Sequence, residues 1–166
     1  KQLAESELKY RRLVENLGKD YFFYRHDANG IFDYLSPSIT SALGYSQKEF
    51  LTHFSTYLTE NPRNKEVLKH TALTLHGIEQ PAYEVEIYHK DRSVHWLEVT
   101  ETPLRGPSGK VIGVEGLAHD ITESKRLQSI LMESEEKYRA LFETSRDALM
   151  ILEPPTWKYS QANKAT

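Results

Sequence analysis

A thirteen-residue segment occurs twice in this chain, and the distance between its copies constrains every other reading. Leu3 to Glu15 reads LAESELKYRRLVE and Leu131 to Glu143 reads LMESEEKYRALFE, so that Tyr10 answers Tyr138 and Leu13 answers Leu141. After one deletion the correspondence continues more weakly, with Asp20 opposite Asp147 and Ser36-Pro37-Ser38 opposite Asn163-Lys164-Ala165. Recurrence at a fixed period marks tandem structural units. A chain of 166 residues then holds one full unit and the opening of a second. The second copy is too short to enclose a core of its own. The expected division is a linker or coiled-coil helix over 1–19, a domain over 20–122, an exit helix over 123–146, and the truncated start of a second domain over 147–166.

Both copies of the segment have helical spacing. Leu3, Ser6, Tyr10, Leu13 and Leu17 alternate in steps of three and four, as do Leu127, Leu131, Ser134, Tyr138 and Leu141. Glu5 with Lys9 and Glu133 with Lys137 stand in the favourable i,i+4 order. Such a narrow stripe suits either a surface helix laid on its own domain or a two-stranded coiled coil between subunits.

Between the helices the period changes. Tyr21 to Arg25 and Ile31 to Leu35 are strand-like, and the Asn29-Gly30 between them is a hairpin signal. Ser36-Pro37-Ser38 offers an N-cap for a helix over Ile39 to Leu43, closed by Gly44. Ser46 and Glu49 have capping-box spacing for a short helix through Leu51. A longer helix from Asn61-Pro62 to Gly77 is expected to bury Val67, Leu68, Ala72 and Leu75. Tyr83, Val85 and Ile87 alternate with Glu84 and Glu86, and His95, Leu97 and Val99 alternate with Trp96, Glu98 and Thr100. Gly106-Pro107-Ser108-Gly109 is a turn, and Val111 to Ala118 a last strand. Asp120 and Glu123 have capping-box spacing at the head of the exit helix. The expectation is an α+β domain: a five-stranded antiparallel sheet, helices on one face, and a helix at each end.

Composition excludes several functions. The chain has no cysteine, which removes disulfides, zinc–thiolate sites, iron–sulfur clusters and thiol nucleophiles, and fits a cytoplasmic location. Twenty-one basic against 24 acidic residues leave a net charge of −3, with no electrostatic reason to expect nucleic acid as partner. No apolar run approaches the roughly 18 residues of a membrane span. There is no signal peptide and no initiator Met, which suggests a piece of a longer protein. None of the seven histidines form an i,i+4 pair, so no metal site is expected. Gly106 to Gly113 lacks the spacing and the Ser/Thr of a phosphate loop. No nucleophile elbow is present, and the chain itself is not expected to be an enzyme.

Tyr24-Arg25-x-Asp27-x-x-Gly30, Tyr34-x-Ser36-Pro37-Ser38 and Leu43-Gly44-Tyr45-Ser46 resemble the front half of a PAS sensor domain. Lys90-Asp91-x-Ser93-x-x-Trp96, Gly109-x-x-x-Gly113 and His119-Asp120-Ile121-Thr122-x-x-Lys125 resemble its C-terminal half, the PAC motif. The resemblance runs from about Tyr10 to Leu127, and a second PAS domain would begin near Tyr138. Arg92 stands where the family usually carries Gly in a hairpin turn, which predicts a wider or bulged loop. The resemblance implies a sensing and dimerising module of a signalling protein, joined to further PAS domains and to an output domain such as a histidine kinase or diguanylate cyclase. It implies a homodimer through the flanking helices and a signal relay at Asp120, Ile121 and Thr122. Alternatively, Asp120 is only a local helix cap.

Two functions from different classes stay open. In one, the domain is a small-molecule sensor with a pocket between sheet and long helix, lined by Tyr24, Leu43, Val67, Leu68, Val85, Ile87, Leu97 and Val99. In the other those residues fill a solid core and the domain is a dimerising spacer; the bulky Phe22, Phe23, Tyr24, Phe32 and Tyr34 favour this. No cofactor is assigned. Haem, for which His70 or His76 would be the axial ligand, and non-covalent flavin are not expected, and a cysteinyl–flavin adduct is excluded. Trp96, on the face opposite Leu97 and Val99, calls for a cover, for which the Leu3–Leu17 helix is the nearest candidate.

Overall fold

The computed structural model describes residues 18–165, so the entry helix expected over Leu3–Leu17 and its contact with Trp96 lie outside the described residues. The described chain divides into two compact units that part between Thr122 and Glu123.

The first unit is built on a five-stranded antiparallel sheet. Its strands are β1 (Tyr21–Asp27), β2 (Phe32–Leu35), β3 (Tyr83–Tyr88), β4 (Val94–Arg105) and β5 (Val111–Asp120), arranged β2-β1-β5-β4-β3. Strict alternation turns Phe22, Tyr24 and His26 of β1 inward, with Val85 and Ile87 of β3, Leu97, Val99 and Glu101 of β4, and Val114 and Ala118 of β5. The segment between β2 and β3 covers this face. It carries helices α1 (Ile39–Leu43), α2 (Gln47–Phe50) and α3 (Lys65–Leu75), with 3-10 turns at Phe54–Tyr57 and Pro62–Asn64. Ile39, Leu43, Phe50, Tyr57 and Val67 close the core from above.

Local chemistry explains most boundaries. Asp27 accepts from the amides of Asn29 and Ile31, which lets Gly30 take φ 81° in the β1–β2 turn. Ser46 and Glu49 form a reciprocal capping box at the head of α2, and Glu49 also receives Lys90 at 2.7 Å. That cation and the Ser46 bonds hold the exposed Glu49 carboxyl at about 2. Gly44 ends α1 in the left-handed region at φ 74°.

Four local expectations are corrected. The Ser36 hydroxyl does not cap α1; it accepts from Phe23 N–H in β1 at 2.9 Å, and Ser38 makes no side-chain cap. Phe23 and Tyr34 face away from the core and meet edge-on at 5.9 Å, so only part of the aromatic cluster fills the interior. Helix α3 buries Val67, Thr71 and Thr74, while Leu68 is 55% exposed and Ala72 is exposed. Both threonine hydroxyls are bonded, Thr74 to His70 O and Thr71 to Glu101, so their burial leaves no orphaned polar group. Finally, of the two forms expected for the β3–β4 hairpin at Arg92, the loop takes the bulged one and is not widened. His89 and Ser93 are bonded across the turn, and Arg92 itself adopts φ 74°, the conformation a glycine would take.

Helix α4 (Thr122–Thr144) begins at the last residue of the first unit; the second unit contains the rest of it and a hairpin of β6 (Met150–Glu153) with β7 (Lys158–Ala162). Asn163 Oδ1 accepts from Leu149 N–H at 3.0 Å, and its backbone N–H donates to Leu149 O. Ser36, its counterpart in the repeat, makes the same pair of bonds to Phe23. On α4, Leu127, Leu131, Tyr138 and Leu141 are all more than half exposed.

A left-handed conformation costs a non-glycine residue about 1–2 kcal/mol. Arg92→Gly is therefore expected to stabilise the chain by up to about 1 kcal/mol, after the extra entropy that glycine loses on folding. Urea unfolding with an unchanged slope would show this, and a loss of stability would contradict it.

Candidate sensory cavity and strand–helix junction

The centre of the sheet carries an unusual residue pair. Tyr24 of β1 and Glu101 of β4 both stand opposite Gly116 of β5, one on each side. A Cβ at Gly116 would overlap the Tyr24 ring. With only hydrogen there, Tyr24 leans across β5 and its hydroxyl donates to Glu101 Oε1 at 2.8 Å. The other carboxylate oxygen accepts from Thr71 of α3 at 3.3 Å. Glu101 is 4% exposed, and hydroxyl donors offset part of the cost of burying its carboxyl group. Burial, followed by the nearby Tyr83 and Glu101, pushes the Tyr24 phenol well above its usual range; burial and Glu101 do the same to Tyr83. Both phenols are thereby kept protonated.

His26, two residues along the inward stripe of β1, is 1% exposed. Its Nδ1 lies 2.7 Å from Asp27 O and must donate, because a carbonyl only accepts. Its Nε2 is buried without a hydrogen-bond partner and faces Glu101 Oε1 at 3.9 Å.

These groups border a cavity of about 50 Å³. Of the residues expected to line a pocket, Tyr24, Val67, Val85, Ile87, Leu97 and Val99 do so, joined by aromatic walls from Phe50, Phe54 and Tyr57. Leu43 is fully buried in the core but off the cavity wall, and Leu68 points to solvent on the far side of α3. His26, Thr71, Tyr83 and Glu101 were not anticipated. The signal was present in the alternation: Glu101 continues the Leu97-Val99 stripe, and His26 continues Phe22-Tyr24. The volume is far below the roughly 300–1,000 Å³ of a pocket for a cofactor-sized ligand. His70 stacks on Tyr83 at 4.5 Å, whereas His76 folds back on Ala72 O at the end of α3. No group of three metal-ligating side chains occurs among the described residues.

A second cluster lies where β5 ends. Asp120 Oδ1 accepts from Thr122 N–H at 2.9 Å, and Asp120 Oδ2 accepts from His95 Nδ1 at 2.6 Å. Thr122 Oγ1 accepts from Trp96 N–H at 2.8 Å, while Ile121 N–H donates to Trp96 O at 2.8 Å. Asp120 N–H donates to Asp20 O at 2.7 Å. The reciprocal half of the expected capping box does not form: the Glu123 carboxylate takes both bonds from Arg126. Trp96 itself is half-buried on the face away from the core, with the Arg63 guanidinium 5.9 Å from its ring centre.

Comparison with known proteins agrees with this architecture. The family model described as the PAS fold matches residues 18–126, and the chain belongs to that family. Sporulation kinase A of Bacillus subtilis (strain 168) is 25% identical over 153 residues, which is 90% of this chain but only 24% of the kinase. A sensory box histidine kinase/response regulator structure from Burkholderia thailandensis superposes with a TM-score of 0.61 at 21% identity, covering 80% of this chain and 99% of that one. The N-terminal domain of a diguanylate cyclase with PAS/PAC sensor from Marinobacter aquaeolei gives 0.54 at 20% identity, covering 63% and 98%. The chain thus carries a PAS-fold domain over 18–126, similar in fold to domains of a histidine kinase/response regulator and of a diguanylate cyclase. No described helix is long and apolar enough to cross a membrane.

Two measurements follow from the Tyr24–Gly116–Glu101 arrangement. Gly116→Ala should cost about 1–3 kcal/mol, the range for overfilling a packed interior, because the added methyl displaces Tyr24 from Glu101. Unchanged thermal stability would show that the ring has room to move. In the second, an unfolded tyrosine ionises near 10.0, while the folded Tyr24 and Tyr83 ionise higher. Their contribution is complete below pH 10 and is lost as pH rises toward the folded values. Stability should therefore fall above pH 10, and the slope should flatten in the Tyr24→Phe, Tyr83→Phe double variant.

Proposed function

We propose that this PAS domain is a signal relay, passing the conformational state of its sheet into α4 and on to a downstream output domain. The observation that carries the reading is the bonding of Asp120, Ile121 and Thr122. The first residue of α4 is tied through its N–H to Asp120 of β5 and through its Oγ1 to Trp96 of β4. A shift between those two strands therefore acts directly on the helix start. A local cap needs only the first of these bonds; the second, with His95 on the other Asp120 oxygen, supports a role beyond capping.

Several features fit this role. The exposed apolar positions of α4 at Leu127, Leu131, Tyr138 and Leu141 suit a helix shared by two subunits, and the homodimer belongs to the proposal. The repeated segment and the matching bonds of Ser36 and Asn163 support a second PAS domain beginning over 147–166. By likeness to sporulation kinase A and to the kinase and cyclase structures, the output is a histidine kinase or diguanylate cyclase activity in the cytoplasm. The domain itself is read as non-enzymatic.

A second reading, the small-molecule sensor, is favoured by one observation: a buried carboxylate and an unpartnered imidazole nitrogen border the same cavity. The two readings are compatible, since β4 carries both Glu101 of the cavity and Trp96 of the junction.

Asp120→Ala in the intact signalling protein tests the relay. Removing a cap should cost the 166-residue chain about 1 kcal/mol. The relay predicts a change in kinase or cyclase output much larger than that loss explains. Output that falls only in step with thermal stability makes Asp120 a cap and overturns the proposal.

A further inference from the structure

We infer that the cavity beside Glu101 binds a small primary ammonium ion, held between the Glu101 carboxylate and His26 Nε2. The inference rests on reading this cavity as a ligand site and adds the chemistry of the ligand.

The first argument is a shortage of donors. His26 Nδ1 donates to Asp27 O, which leaves Nε2, buried and without a hydrogen-bond partner, as the ring's remaining polar atom on a residue that lines the cavity. Glu101 Oε1, the nearest polar atom opposite, is also an acceptor, and the 3.9 Å gap is too long for a direct hydrogen bond in any protonation state. Two acceptors converging on one space call for a group rich in N–H donors. An ammonium nitrogen supplies three, enough to serve both with one to spare.

The second argument is charge. Glu101 is buried with only neutral hydroxyls donating to it, and its single ionic neighbour among the described residues is His26. A buried carboxylate without a full cationic partner is costly, and a bound cation relieves that cost. The third is the wall. Phe54 lies 5.7 Å from the His26 ring, and Phe50 and Tyr57 stack at 3.9 Å on the same cavity. Aromatic faces attract a cation and accommodate its alkyl part.

Size narrows the class. A water needs roughly 10–15 Å³ by this measure, so about 50 Å³ admits about three or four non-hydrogen atoms. Methylammonium and ethylammonium fit. Quaternary ammonium ions are excluded by bulk and by having no N–H for Nε2.

The probe is ¹³C-methylammonium chloride, titrated into the 166-residue chain and followed by NMR. Sodium chloride at equal ionic strength and ¹³C-methanol serve as controls. The expected result is saturable binding with an upfield ring-current shift of the methyl signal and contacts to Phe54 and Tyr57 protons. Methanol should be silent, and Glu101→Gln should weaken binding roughly tenfold or more, the loss of one charge-assisted bond. If that variant does not fold, the wild-type shift and its contacts decide. Absence of saturable binding overturns the inference and leaves the space to water. Equal binding of methanol, or full binding by Glu101→Gln, overturns it by showing that charge is irrelevant. Native mass spectrometry of freshly purified protein separates the two levels. A co-purifying neutral or acidic ligand in the cavity retains the sensor reading and overturns the ammonium ion. The Asp120→Ala output test is independent of both.

Discussion

The hydrogen bond from Tyr24 to Glu101, made across the bare backbone of Gly116, organises the interior of this domain. It couples β1 to β4 over the strand that separates them, and Thr71 extends the coupling to α3. A carboxyl group at the middle of an inward sheet face would ordinarily oppose folding. Here its acceptors are met by hydroxyls that burial keeps protonated, and the domain keeps a small polar chamber within an apolar core. The cavity exists because aromatic rings on one side and hydroxyls on the other cannot close the space around a carboxylate and an imidazole.

The same strands carry the second cluster, at the end of the sheet. Trp96 offers both backbone groups to the chain leaving β5: its N–H to Thr122 and its carbonyl to Ile121. Six residues of β4, Trp96 to Glu101, therefore contain both the cavity wall and the anchor of the exit helix. β4 is paired along both edges, with β3 and β5, so Glu101 and Trp96 sit on one continuous hydrogen-bonded strand. His95 adds a hydrogen bond to that anchor through Asp120, and its ring stacks on His89 of the β3–β4 turn at 4.8 Å.

Arg92 and Gly30 illustrate how turns of similar shape arise from different residues. Gly30 takes a positive φ freely, and its lack of a side chain also leaves room for His53 and Phe54. Arg92 takes a similar φ against its own preference, because the bonds across the hairpin and the paired strands on either side dictate the turn. Strand pairing overrode local preference, so the departure from glycine changed the energy of the loop rather than its width.

The sequence by itself determined the class of fold, the order of its elements and the position of the exit helix. Alternation in Tyr83–Ile87 and His95–Val99, Gly at the turns, and the Ser46–Glu49 box are local signals read within a few residues. It also determined six of the cavity-lining residues, since inward apolar positions follow from strand period. Tertiary structure alone decided the rest. Leu68 lost its expected place because α3 turns its Val67–Thr71–Thr74 face to the sheet, where Thr71 meets the Glu101 carboxyl thirty residues away. Glu101 and His26 sat in inward register in plain view, but a polar residue there has meaning only when its partner is known. Tyr24, Thr71 and Gly116 come from three elements far apart in the chain, and no local pattern encodes their meeting. The same limit applied at Asp120, where local spacing suggested Glu123 as its partner while packing supplied His95.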